Sequence, residues 1–187
     1  MSYFHHMLRI LSFDETVYRE VISHDKRSLF YTLVNVAFFG IFYGLSALYF
    51  TRFLTDSTGS PIVVPAAMRF TLLLMGMSIA FLIHGGMALF SWGFCRGFGG
   101  STLFLPIYLA LGMAWIAFWP LAPFLAALQV KQTGNVFLPT LGAAAAFALA
   151  VVFRALKSAS GLSTLRMLLT LVVIIVYICC FLYLWVG

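Results

Sequence analysis

Acidic side chains stop at Asp56. Only five of the 187 residues are Asp or Glu, and the other four, Asp14, Glu15, Glu20 and Asp25, come before the first long apolar run. A proton or ion pathway through a membrane draws on several buried ionisable groups, so transport by this chain alone is not expected. The same scarcity leaves no carboxylate pair for acid–base chemistry beyond the first third of the chain. No HExxH, nucleophile elbow or phosphate-binding GK[ST] supplies another mechanism. Cys95, Cys179 and Cys180 lack the spacing of a zinc site or a redox pair, and they read as small apolar residues. Charged residues make up 9% of the chain, against about 25% in a soluble domain. The net charge of +6 and pI near 9.5 would suit a nucleic-acid binder. The basic residues, however, are scattered between apolar runs, with no patch to follow a phosphate backbone.

What the chain has in abundance is hydrocarbon: 63% hydrophobic residues and a mean hydropathy of +1.06, the composition of an integral membrane protein. About 20 apolar residues span a hydrocarbon core of about 30 Å, and five segments qualify. They run over Leu29–Phe50 behind Ser28 as N-cap, Ala66–Trp92, Ser101–Leu128, Val136–Phe153 and Leu165–Trp185. The third is too long for one straight span and carries Pro106, Pro120 and Pro123, so a kink or an early helix end is expected near Pro120. The fold class is therefore all-α, a five-helix transmembrane domain over 29–187 preceded by a segment over 1–28.

That first segment mixes acids and bases with apolar residues and does not read as a cleavable signal. Phe4, Leu8 and Leu11 share one helical face, and Val17, Tyr18, Val21 and Ile22 share a face of a second short helix that Asp14 is placed to cap. The pattern predicts amphipathic helices at the cytoplasmic surface. Positive charge sets the orientation. With the N-terminus inside, Arg9, Arg19, Lys26, Arg27, Arg96, Arg154, Lys157 and Arg166 lie inside, and Arg52, Arg69 and Lys131 lie on or near the other side. The C-terminus is then outside.

His84 is the only histidine within a span. With no second axial ligand or ligand cluster it reads as an intramembrane polar group bonding a neighbouring helix. His5 and His6 are adjacent, about 100° apart on a helix, and form no i, i+4 metal pair. No metal or cofactor is expected. Arg69 is placed to snorkel to the interface, with Asp56 as its partner. Small residues carry more information: Gly40 and Gly44 on the first span, and Gly142, Ala146 and Ala150 on the fourth, permit close backbone approach. Two readings stand open for them, packing within the bundle or contact with another chain. In the run "FCRGFGGST" (Phe94–Thr102), the glycines reverse the chain, Ser101 or Thr102 caps the third span and Arg96 marks the side. Along "SASGLSTLR", Gly161 is expected to take the left-handed conformation and Ser163 or Thr164 to cap the last span. Arg96, Arg154, Lys157 and Arg166 are candidate contacts for anionic head groups or a partner.

The amphipathic start "MLRILSFDE" (Met7–Glu15), five spans, the glycine turn after the second span and "FRALKSASGLSTLRMLLTLVV" (Phe153–Val173) before the last resemble the Yip family of small five-span proteins. The GLST at Gly161–Thr164 is similar to the family's loop before the last span. Eukaryotic members interact with Rab-type GTPases; this chain resembles the short prokaryotic members instead. It lacks the long polar N-terminal region and the "DLYGPFW"-type motif, so Rab binding is not carried over. The resemblance implies a prokaryotic cytoplasmic membrane. The expected function is a non-enzymatic membrane scaffold or interaction protein whose partners are lipids and other membrane subunits or a second copy. The alternative is an accessory subunit of a larger membrane enzyme or energy-transducing complex, with cofactors held by partner subunits.

Overall fold

The computed structural model describes residues 3–22, 25–55, 59–60, 63–101, 103–131 and 134–186, the side chains at 21–22, 25, 181–182 and 184–186 excepted. Two short helices, α1 (Tyr3–Leu11) and α2 (Thr16–Ile22), lead into α3 (Asp25–Thr51) and α4 (Ala66–Gly97). Next, α5 (Phe104–Ala114) tightens into a 3-10 turn at Trp115–Phe118 and gives way to α6 (Leu121–Gln129). The long helices α7 (Phe137–Ser160) and α8 (Thr164–Val186) follow. All helical and strand-free among the described residues, the chain folds around α5.

Three helical stretches are long and apolar enough to cross a membrane: Lys26–Thr51, Ala66–Gly97 and Phe137–Ser160. A fourth is added if Phe104–Phe118 and Leu121–Gln129 are taken as one broken span. The sequence predicted five. Two differences account for this. The expected third span is a pair of helices bent by 73°, because Pro120 lacks the N–H that would continue the ladder and its ring crowds the preceding turn. The last expected span falls on α8 (Thr164–Val186), of which the apolar stretch Thr164–Cys180 lies within the described side chains. A third correction concerns the first span: α3 begins at Asp25, so Ser28 sits inside the helix and buried rather than capping it.

Burial explains which face each helix turns inward. On α4 the buried residues Gly76, Ala80, His84, Met87, Ala88, Ser91 and Cys95 recur every three or four positions, the stripe of a helix packed on one side. Large apolar side chains on its other face, Leu74, Leu82 and Leu89 among them, are exposed. Such an exterior suits hydrocarbon rather than water. By contrast, every residue of α5 from Leu109 to Ala114 is buried, as befits a helix that is apolar all round. Among the described helices α3 and α4 form the most extensive pair. They cross antiparallel with their backbones in contact: a Cβ at Gly40 would lie 2.6 Å from Met77 Cα and 2.8 Å from the Gly76 carbonyl.

A side chain at that crossing has to push two helices apart. Gly40→Leu is therefore expected to cost at least the about 1–3 kcal/mol of overpacking a core, while Gly142→Leu, where no atom lies within 4 Å of a built Cβ, stays within about 0.5 kcal/mol of wild type. Denaturant unfolding in micelles reads both; equal costs would contradict the packing.

Candidate functional site

The first and last turns of a helix leave backbone groups without partners, and inside an apolar bundle they need side chains to satisfy them. At the end of α5 that side chain is Asn35, buried on α3. Its amide nitrogen donates to the carbonyls of Gly112 at 3.2 Å and Met113 at 3.1 Å, with Met7 Sδ at 3.5 Å. Tyr3 Oη donates to its Oδ1, and Trp119 Nε1 donates at 3.0 Å to its backbone carbonyl. One residue thus ties α1, α3 and α5 to the bend before α6. Thr32, one turn earlier, points its hydroxyl at the Leu109 carbonyl and occupies the space above Gly112 where a Cβ would fall. Burial, helped by Tyr31, pushes the Tyr3 phenol up to about 12, so it remains a donor. Sequence reasoning missed Asn35. The available signal was an isolated amide side chain in the middle of an apolar run, a residue type that bonds across helices in membranes.

Instead of lying free at a surface, the N-terminal helices are packed into the bundle. On the apolar face of α1, Phe4 and Leu8 are 75% and 65% exposed and Leu11 is half-buried, while His6, Met7 and Ile10 are buried on the neighbouring face. On α2, Val17 and Tyr18 enter the core; Val21 and Ile22 fall outside the described side chains. Charge pins the two helices together. Arg9 bridges Asp14 at 2.7 Å and Glu20 at 2.8 Å, and Glu20 lies 3.7 Å from His6 Nε2. Asp14 caps α2 by accepting from the Thr16 amide at 2.9 Å. The Thr16 hydroxyl and then Arg9 hold the Asp14 carboxyl down at about 2, and Arg9 lowers Glu20. Glu15 bonds Arg154 on α7, and its carbonyl takes the Ser158 hydroxyl at 3.4 Å. Between α1 and α2, Phe13 takes a φ of +61°, rare for a bulky residue, with its ring against Phe147 at 5.6 Å.

His84 lies roughly halfway along α4, fully buried, beside Tyr108 (ring centroids 4.5 Å) and edge-on to Trp115 at 5.6 Å. The expected hydrogen bond to another helix is not formed: neither ring nitrogen has a partner among the described residues, and nor does Trp115 Nε1. Among the described residues no three His, Cys, Asp or Glu side chains cluster to hold a metal.

The two glycine turns meet at the N-terminal end of the bundle. Gly99 at φ +85° and Gly161 at φ +69° take the left-handed conformation that glycine adopts without a Cβ penalty. The Ser101 amide donates to the Ser160 carbonyl at 2.9 Å, and Arg166 donates to the Phe98 carbonyl at 3.0 Å. The expected caps differ in detail. Here α5 starts at Phe104 behind Leu103, whose amide Ser101 Oγ accepts at 3.2 Å, and Thr102 lies outside the described residues. Ser163 precedes α8, where its backbone carbonyl takes the Met167 amide. Of the four candidate head-group cations, Arg154 and Arg166 are bound within the chain. Arg96 is exposed with its guanidinium 5.6 Å from the Trp92 ring, and Lys157 is half-buried. Arg69 donates to the Val64 carbonyl at 3.0 Å; Asp56, its expected partner, lies outside the described residues.

The two small-residue stripes part company. Gly40 and Gly44 are buried against α4, whereas Gly142, Ala146 and Ala150 are all exposed on α7. Ala146 and Ala150 line a groove of about 570 Å³ walled by Phe13, Phe153, Leu168 and Leu171, with Arg154 at one end.

Asn35→Leu strips the α5 carbonyls and Tyr3 of their partner, and a stability loss of about 1–3 kcal/mol is expected together with faster amide exchange in α1. Unchanged exchange over residues 3–11 would contradict this. Because Asp14 and Glu20 titrate below their unfolded values, their contribution is complete above the ordinary carboxylate range. It is lost as pH falls from the usual 3.8 of Asp14 towards about 2. Exchange protection of residues 3–20, corrected for intrinsic rates, should therefore hold at pH 6 and decline over that interval.

No protein-family model, curated protein or solved structure matches this chain, so the meaning of these features rests on their own geometry.

Proposed function

We propose that the chain is a non-enzymatic, membrane-embedded interaction protein that receives a transmembrane helix of another subunit, or of a second copy, in the groove between α7 and α8. The observation that carries this reading is the exposure of Gly142, Ala146 and Ala150. Small residues bring helix backbones close enough for the van der Waals contacts that drive association in lipid. On α3 they are used against α4, and on α7 they are left open beside a groove. In this reading α8 is the fifth span and the α5–α6 pair the third, in keeping with the Yip-type resemblance. The end bearing α1, α2 and the two glycine turns faces the cytoplasm by the distribution of Lys and Arg, and the resemblance implies a prokaryotic cell. Arg96 and Lys157 then meet anionic head groups or a partner's acidic side chains.

Purification in mild detergent with mass measurement tests the proposal. The wild-type chain is expected to travel with itself or with a stoichiometric membrane subunit; retention in a larger heteromeric complex would favour the accessory-subunit role. Ala146→Leu combined with Ala150→Leu should lower recovery of the assembled form about tenfold, equivalent to about 1.4 kcal/mol, with the monomer still folded. A wild-type chain that is monomeric and alone in the membrane overturns the reading.

A further inference from the structure

A second cavity lies inside the bundle, distinct from the α7–α8 groove. It has a volume of about 280 Å³ and is lined by Phe39, Ile83, Trp115, Leu125, Ala145 and Ile178, with neighbours of the same kind from α3, α4, α6, α7 and α8. The bent pair of α5 and α6, which changes direction by 73°, contributes Trp115, Leu121 and Leu125 to its wall.

The walls decide what enters. Two phenols reach the lining: Tyr43 donates to Gln129, and the Tyr177 hydroxyl packs over Gly86. Every other lining residue among those described is Gly, Ala, Cys, Met, Trp or a hydrocarbon side chain. Apart from the two phenols and the unpartnered Trp115 indole N–H, the described lining offers water no strong polar partner, and an empty void of this size is foreign to close-packed interiors. Ile175 and Cys179 both line the cavity and are exposed, so its mouth runs along the outer side of α8, at a level flanked by apolar side chains. A single hydrocarbon chain fits.

We infer that this cavity is a lipid site that takes one fatty-acyl chain of a membrane phospholipid through the opening beside Ile175 and Cys179, held by aromatic and aliphatic contact alone. The site depends on the chain lying in a membrane but not on the proposed partner groove, and the two fail separately. Ala145 faces the cavity and Ala146 the groove.

The test is photo-crosslinking in phospholipid vesicles doped with phosphatidylcholine bearing a mid-chain diazirine, followed by peptide mapping. Adducts are expected on the cavity-lining segments of α6, α7 and α8. Ala145→Phe should reduce them about tenfold, with Ala146→Phe leaving them within about twofold. Ile178→Phe serves as a second filling variant should Ala145→Phe not fold, judged by gel filtration and helical circular dichroism. Excess unlabelled phosphatidylcholine should compete, and glycerophosphocholine without acyl chains should not. Cavity adducts that persist in a folded filling variant overturn the inference. So does labelling confined to outward-facing residues, or cavity labelling abolished by polyprenol but not by phosphatidylcholine.

Discussion

The amide of Asn35 holds the architecture together. Where α5 tightens from α to 3-10 geometry, Asn35 on α3 donates to the carbonyls of Gly112, which also accepts the Trp115 amide, and Met113, while accepting from Tyr3 on α1. Its backbone carbonyl takes the Trp119 indole beyond the 3-10 turn. Each of these groups would be costly to bury alone. Satisfying all of them at one residue fixes the depth of α1, the register of α3 against α5 and the position at which the chain bends.

Around that hub, small residues set distances. Gly112 lets α5 reach Thr32, and Gly40 with Gly76 lets α3 and α4 touch through backbone. The bent α5–α6 segment instead walls the inner cavity, with Trp115, Leu121 and Leu125 facing α4, α7 and α8 across it. At the N-terminal end, charge rather than packing organises the chain. Arg9 gathers Asp14 and Glu20, Arg154 takes Glu15, and Arg166 closes onto the α4–α5 turn. Three of the five acids stand before α3, and all three are committed to these pairs.

Several elements were legible because they follow from local chemistry. Pro120 announces the bend, Gly161 its left-handed cap, and Asp14 the start of α2, since each depends on a residue's own backbone or on a neighbour two positions away. Other readings failed where a distant partner decided. Periodicity marks Phe4 and Leu8 as one apolar face but not that Met7 and Ile10, on the neighbouring face, enter the bundle, Met7 beside Asn35. His84 looks like a helix-bridging donor, yet the rings of Tyr108 and Trp115 surround it and offer its nitrogens no acceptor.

By itself the sequence determined the helical class, the apolar character of the long helices and the sites of the turns. Hydropathy, proline and glycine act within a few residues and need no tertiary partner. Tertiary structure alone decided which of two similar small-residue stripes was used within the bundle and which was left open. It also decided that an asparagine eleven positions into α3 would organise three helices. Both depend on what lies across the helix interface, and hydrogen bonding and close packing are properties of pairs that single-chain periodicity does not encode.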